Sequence, residues 1–276
     1  MVKNNNFDKH IIVTGATGFV GRNIVKNLIK NKFKVSILVR NLDKALSIDY
    51  LKDIPKIYFD IERYEDNIEV PENSTLIHCA WSKVKDTHSL KHIEENYINN
   101  YFFIKNMINK GIDKIVITGT CFEYGLQQGS INADAQTKPN DAYSLAKDNL
   151  HKSLRLLQNK SNFNLIWLRL FYMYGEGQNK NSIIPLFDAA LERGDKIFNM
   201  SPGDQLLDYL NIDEVSQKII NKLDMVNGTF NICKGVPILL RNLLKQRMKE
   251  KEKYIKLNMG YYNYRKDENI RFWGEP

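Results

Sequence analysis

Short apolar runs alternate along this chain with longer stretches in which apolar residues recur every three or four positions. The runs HIIVTG (10–15), KVSILV (34–39), KIYFD (56–60), TLIHCA (75–80), KIVITG (114–119) and NLIWLRL (164–170) each predict a strand. Between them, 19–31, 88–110 and 141–159 predict helices. Strand–helix alternation with short turns implies βαβ units and a parallel sheet, an α/β doubly wound architecture. After residue 170 the alternation loosens. Segments 171–208 and 236–276 are rich in Tyr, Asn and Gly and predict a small cap, whereas 209–235 reads as a return to the main domain. The expected division sets 1–170 with 209–235 against 171–208 with 236–276.

Composition narrows the class. Of 276 residues, 43% are hydrophobic and 26% charged, enough for a sizeable core in a water-soluble chain. No apolar run approaches the roughly 20 residues a bilayer span needs, so no membrane segment is expected. The opening MVKNNNFDKHIIVTG has no apolar stretch ahead of a cleavage site and predicts no secretory leader. Cys79, Cys121 and Cys233 lie far apart, with no C-x₂-C spacing. They predict a reducing cytoplasm, no structural disulfide and no metal site. The net charge of +8 reads as a Lys- and Asn-rich bias rather than a nucleic-acid surface. Basic residues are spread along the chain except in KQRMKEKEKYIK (245–256), where interleaved glutamates mark a solvated helix face. Positive potential of this kind also favours an anionic cofactor or substrate.

The chemistry begins at TGATGFVG (14–21), which follows the first strand and opens a helix. Gly15 permits the turn, Gly18 lets a pyrophosphate approach, and Gly21 lets helix pack on strand. The helix N-terminus then offers free N–H groups to phosphate. At the end of the second strand, where an NAD site places an acid for the ribose 2′-hydroxyl, this chain has Arg40. A guanidinium there suits a 2′-phosphate, so NADP(H) is the expected cofactor, with Arg22 assisting. Asp60, at the end of the third strand, is placed to meet the adenine amino group. His78 and Lys83, in HCAWSK, border the same region, and His78 reads equally well as a core residue.

With that loop, YSLAK (143–147) becomes informative: Tyr143 and Lys147 stand one turn apart on one helix face. Together with ITGTCFEYG (117–125), LRLFYMYGEGQ (168–178) and LLDYLNIDEVS (206–216), the set resembles the extended short-chain dehydrogenase/reductase family of nucleotide-sugar epimerases, dehydratases and ketoreductases. The resemblance implies a Rossmann NADP-binding domain, a small cap for a nucleotide-diphosphate sugar, and a homodimer built on the helices around 92–110 and 141–159. It implies Tyr143 as acid/base, Lys147 as its electrostatic partner and Thr120 as the carbonyl-binding hydroxyl. Cofactor contacts are expected from Gly15, Thr17, Gly18, Phe19, Val20, Arg22, Arg40, Asp60, Ile61, Ala80, Lys83 and Thr118, beside Tyr143 and Lys147. Substrate contacts are expected from Trp81, Phe122, Tyr172, Gln178 and Asp208. Two positions depart from the family pattern: Tyr172 stands for its Asn, and Leu207 for the Arg before Asp208.

Elementary chemistry agrees with these roles. Hydride addition to a ketone makes an alkoxide that needs a proton, and a neighbouring ammonium favours the tyrosinate left behind. A 4,6-dehydratase of this family carries Asp and Glu where Cys121 and Phe122 stand, and a decarboxylase wants Glu at Phe122. The reductase that epimerises before reducing uses Cys at the Phe122 position and a cap histidine, and the cap segments have no histidine. A 4-ketoreductase acting on a nucleotide-linked 4-keto-6-deoxysugar remains, with a C4-epimerase as the alternative and a non-catalytic NADP-binding regulator as another. Arg40 favours the reductase, which consumes NADPH. Cys121 is expected to pack, and Glu123 to order its loop.

Overall fold

The computed structural model of the protein describes residues 9–64, 68–71, 73–264 and 268–276. Strand β1 (His10–Thr14) leads through the glycine loop into α1 (Phe19–Lys30), β2 (Lys34–Val39), the short α2 (Leu42–Leu46), β3 (Lys56–Tyr58) and β4 (Ser74–His78). The chain continues through α3 (Ile98–Asn109), β5 (Lys114–Thr120), the short β6 (Gly129–Ile131), α4 (Ala142–Gln158) and β7 (Asn164–Leu170). Next come β8 (Tyr172–Tyr174), α5 (Ile183–Arg193), β9 (Ile197–Asn199), β10 (Leu206–Leu207) and β11 (Tyr209–Asn211). The last elements are α6 (Ile212–Asn221), β12 (Gly228–Ile232), β13 (Ile238–Leu239), α7 (Leu240–Glu250), β14 (Lys256–Asn258) and β15 (Arg271–Gly274).

The main sheet has seven strands in the order β12-β7-β5-β4-β1-β2-β3. All its pairings are parallel. Parallel strands must be covered on both faces, which is why their sequences are nearly unbroken apolar runs. On one face Ile24, Val25 and Leu28 of α1 pack with Val215 and Ile219 of α6. On the other, Phe103, Ile104 and Met107 of α3 pack with Leu150 and Leu154 of α4. The order of strands reverses between β1 and β4, and in such sheets the crevice at that point is where ligands bind.

A smaller sheet, β13-β10-β15-β6, stands beyond the ends of β5 and β7. Strand β15, from the last residues of the chain, lies between β10 and β6 and pairs parallel with both. Its Phe272 is fully buried against Tyr124 and Phe171. Helices α5 and α7 close a separate apolar cluster through Phe187, Leu191, Leu240 and Leu244.

The strands expected from the sequence all form, β2 and β7 with the expected ends and β1, β3, β4 and β5 with ends shifted by one or two residues. Strand β4 stops at His78 because the Thr14 hydroxyl accepts from the N–H groups of Cys79 and Ala80, each at 3.2 Å, and so ends the ladder. The helix expected over 88–110 starts instead at His92, as a π-helical turn (His92–Tyr97) that continues into α3. The wide turn is tied to the loop before it: His92 bonds to the Asp86 carbonyl and Asn96 to the Ser82 carbonyl. Among the described residues no helix is long and apolar enough to cross a membrane.

Candidate active site

The glycine loop is built by contacts that exclude side chains. Gly15 has φ +68°, and a Cβ on it would stand 2.8 Å from the Ala80 nitrogen. A Cβ on Gly21 would stand 2.3 Å from the Gly15 carbonyl oxygen. Gly18 is the N-cap of α1, with no side chain capping the first turn and no acid within it. The helix therefore presents uncapped N–H groups and positive potential to the crevice, the arrangement that holds a phosphate.

A cavity of about 400 Å³ opens here over the ends of β1, β2, β3 and β4. Of the residues expected to contact the cofactor, Gly15, Thr17, Gly18, Arg40, Asp60, Ile61 and Ala80 line it. Phe19, Val20 and Arg22 do not; they sit on the first turn of α1 behind the loop. Arg22 bonds to the carbonyls of Thr17 and Gly18 at 2.8 and 3.2 Å, supporting the loop from outside. Lys83 lies outside the lining too, in a turn with φ +56°. Asp60 accepts from the Glu62 N–H and caps a short turn. Arg40 is exposed and meets Glu62 at 3.3 Å. The sequence reading passes over Lys44 and the trio Asn96, Asn99 and Asn100, which also line the cavity. Their spacing puts three amides on one helix face, a polar stripe visible in NYINN.

His78 belongs to the core. It is fully buried, bonded to Thr14 at 2.9 Å and Asn100 at 2.7 Å, and burial lowers its pKa to about 3, so it is neutral.

Helix α4 starts on Asp141, whose carboxylate accepts from the Ser144 N–H at 2.7 Å in a capping box. That start fixes Tyr143 in the first turn and Lys147 one turn on. The Tyr143 backbone N–H donates to the Thr87 carbonyl at 2.9 Å. Burial raises the Tyr143 pKa, the charge of Glu123 adds to this, and the nearby Thr120 side chain opposes it. Lys147 is buried, and its ammonium donates to the Thr118 carbonyl at 2.8 Å. Burial lowers its pKa to about 8, against the pull of Glu123. Thr118, Tyr143 and Lys147 do not line the first cavity; Tyr143 and Lys147 stand beside Trp81, which does.

The run TCFE resolves residue by residue. Thr120 ends β5 and caps a single 3-10 turn, accepting from the Phe122 N–H at 3.3 Å. The Glu123 carboxylate folds back beneath it, fully buried, and accepts from the Thr120 N–H at 2.9 Å. It also takes the Trp167 indole N–H at 3.1 Å and Arg169 Nε at 2.6 Å. Gly119 makes room for it: a Cβ there would lie 2.5 Å from the carboxylate. Cys121 turns into a buried cluster with Tyr124, Phe171 and Cys233. Burial raises its thiol well above the ordinary range, which removes the thiolate that reactivity needs. A disulfide-exchange reagent is expected to leave Cys121 and Cys233 untouched until the chain is unfolded; a thiol assay with and without denaturant checks this.

Phe122 faces a second, larger cavity of about 840 Å³, together with Tyr172 and Gln178. The two rings of Phe122 and Tyr172 meet edge-on, with centres 6.0 Å apart. Trp81 lies in the first cavity instead. Asp208 lines neither cavity: it is fully buried and accepts from the N–H groups of Lys234 and Gly235, each at 2.7 Å. It clasps the loop after β12, so the structure does not bring it to the site. Glu268 and Asn269, just before β15, line the second cavity, and no local signal in the sequence marks them. Thr87 lines the second cavity and Trp81 the first, and both touch Tyr143. The Tyr143–Lys147 pair therefore stands where the two cavities approach each other.

A doubly wound sheet with a glycine loop, an uncapped helix start and a Tyr–Lys pair at the mouth of a second pocket is the frame of a dinucleotide-dependent enzyme. The chain belongs to the NAD dependent epimerase/dehydratase family, whose model matches residues 11–233. It is 28% identical over 270 residues to dTDP-6-deoxy-L-talose 4-dehydrogenase (NAD(+)) of Aggregatibacter actinomycetemcomitans, covering 96% of this chain and 99% of that one. It is 24% identical to dTDP-4-dehydro-6-deoxyglucose reductase of Escherichia coli, covering 85% and 79%. Its fold is that of UDP-N-acetylglucosamine 4-epimerase from Methanobrevibacter ruminantium M1, with TM-score 0.80 at 19% identity over 98% of this chain and 90% of that one.

Proposed function

We propose that this enzyme reduces the C4 ketone of a nucleotide-linked 4-keto-6-deoxysugar with NADPH. The observation that carries the reading is the Thr120–Tyr143–Lys147 set between two cavities, with Phe122 and a buried Cys121 where eliminating relatives keep an acid and a base. The first cavity suits the cofactor: glycine positions a Cβ would block, an uncapped helix start and a basic rim at Arg40 and Lys44. The second, larger cavity suits the nucleotide sugar.

When bound, the reduced nicotinamide supplies a hydride to the ketone carbon. The chain's own residues handle the proton and the charge. Thr120 donates a hydrogen bond to the carbonyl oxygen as negative charge develops there. Tyr143 gives its hydroxyl proton to that oxygen, which becomes the C4 hydroxyl. Lys147, one turn on along the same helix, stabilises the tyrosinate until solvent returns the proton. Phe122 and Tyr172 offer apolar walls that suit a 6-deoxy methyl group. A homodimer through α3 and α4 fits the exposed Ile98, Phe102, Leu145 and Leu156.

The choice of NADPH rests on Arg40. Its pair with Glu62 is a surface contact, with both side chains 58% exposed, worth about 0–1 kcal/mol. A charge-assisted bond to a 2′-phosphate is worth about 1.5–3 kcal/mol and displaces it. The NAD(+) in the Aggregatibacter relative's name favours a second reading, oxidation or reduction at the same carbon with NAD(H). Incubating the protein with a nucleotide-linked 4-keto-6-deoxysugar and either cofactor, and following nicotinamide absorbance, tests both halves. Stoichiometric consumption of NADPH is the expected result, whereas an epimerase consumes none. Arg40→Asp is expected to raise the KM for NADPH roughly tenfold more than that for NADH. Equal wild-type use of NADH removes the argument from Arg40.

A further inference from the structure

The sequence reading places Trp81 among the substrate contacts, but the structure sets its indole in the cofactor cavity, against the Tyr–Lys pair. The Lys147 ammonium stands 4.1 Å from the centre of the indole ring, over its face. The Tyr143 ring meets the same indole edge-on, at 6.1 Å and 76°. Lys147 is 2% exposed, and among the described residues no carboxylate forms an ion pair with it. The Thr118 carbonyl supplies one acceptor at 2.8 Å; a buried ammonium without a counter-ion needs further negative potential, and the face of an indole is the strongest that an aromatic side chain offers.

The indole is itself locked. Its Nε1 donates to His92 Nδ1 at 3.0 Å, and Asn96 Nδ2 reaches the same nitrogen at 3.1 Å. His92 Nε2 faces the Asp86 carbonyl at 2.9 Å. Two donors on Nδ1 and a carbonyl on Nε2 fit the neutral imidazole protonated at Nε2. His92 is fully buried, with its ring 5.3 Å from that of Tyr143. His92 and Asn96 belong to the π-helical turn, a rare geometry found frequently at functional sites. Trp81, His92 and Asn96 thus form one bonded unit that touches both members of the pair, and the one ring proton on His92 is spent on the Asp86 carbonyl.

We propose that Trp81 is a positioning residue: its indole face keeps the buried Lys147 ammonium charged and beside Tyr143, while His92 and Asn96 hold the indole. The role rests on the function assigned above to Tyr143 and Lys147. The other titratable groups facing Lys147 are His78 and Cys79 at the end of β4 and Glu123 after β5; Tyr143 on α4 meets the same indole. Burial holds His78, Cys79 and Tyr143 neutral, and Glu123 is already paired with Arg169. The indole is therefore the group whose removal changes the charge balance at Lys147 most selectively.

An NMR titration of protein labelled with carbon-13 at lysine Cε reads Lys147 directly, its signal assigned by loss in Lys147→Met. Trp81→Leu is expected to lower the Lys147 midpoint by about one pH unit. Trp81→Phe, a weaker π face in the same place, is expected to lower it by less. Should the leucine variant not fold, Trp81→Met removes the ring with an unbranched, more adaptable side chain. In turnover assays the alkaline limb of kcat is expected to move by the same amount, with the KM for nucleotide sugar held within about twofold. An unchanged Lys147 midpoint in a folded variant without the ring overturns the proposal. That titration needs no substrate, so its outcome is separate from failure of the ketoreductase reading.

Discussion

Tyr143→Phe is expected to lose about 10²–10⁴-fold in turnover, the range for removing a general acid. The change deletes one oxygen and almost no volume, so the ring keeps its edge contacts with Trp81 and His92. The Tyr143 hydroxyl lies outside the lining of the cofactor cavity, so affinity for the cofactor should stay nearly constant. The loss should therefore fall on kcat, with fluorescence titration of NADPH little altered. Burial holds the Tyr143 proton on at neutral pH, as a proton donor requires. Retention of most activity in the phenylalanine variant rules out the assigned proton path.

Arg169→Met is expected to destabilise the fold by about 3–5 kcal/mol, because it leaves Glu123 charged and unpaired in the interior. Glu123 is 0% exposed and Arg169 4%, and Arg169 also donates to the Tyr124 hydroxyl and the Ala133 carbonyl, each at 2.9 Å. Burial already raises the Glu123 pKa, with Arg169 the main opposing cause. Removing Arg169 raises it further. A carboxyl whose folded pKa exceeds its unfolded value favours the fold at low pH, and that contribution is lost as pH rises through the folded pKa. The deficit should accordingly narrow as pH falls toward the ordinary carboxylate range. Denaturant melts at neutral and mildly acid pH measure this. Adding Glu123→Gln should recover part of the loss, since no charge then remains buried.

What the sequence reveals and what it hides follow from the range of the interactions. Strands and helices of the main sheet are written in local periodicity, and six of the seven strands can be read from it. The short β12, GTFNI, carries too few apolar residues to announce itself. Gly15, Gly21, Tyr143 and Lys147 are legible because spacing along one turn or helix fixes their geometry. The second cavity is less so. Its Asn269 is placed by β15 slotting between β10 and β6, a pairing between residues far apart in the chain. Asp208 and Trp81 show the opposite error: a motif marks the position, but the direction of the side chain depends on backbone N–H groups and on an imidazole contributed from elsewhere. Glu123 is legible only in part. The capping box is local, while its partners Trp167 and Arg169 come from the neighbouring strand β7.

The central claim is that hydride passes to C4 of a nucleotide-linked keto sugar while Tyr143 supplies the proton. It is tested most directly by running the reaction with NADPH deuterated at the transferable position and locating the label in the product by NMR. The account predicts one deuterium at sugar C4, one cofactor oxidised per sugar reduced, and product formation slowed about 10²–10⁴-fold in Tyr143→Phe. Product carrying no label at C4, or formed without net oxidation of the cofactor, contradicts it.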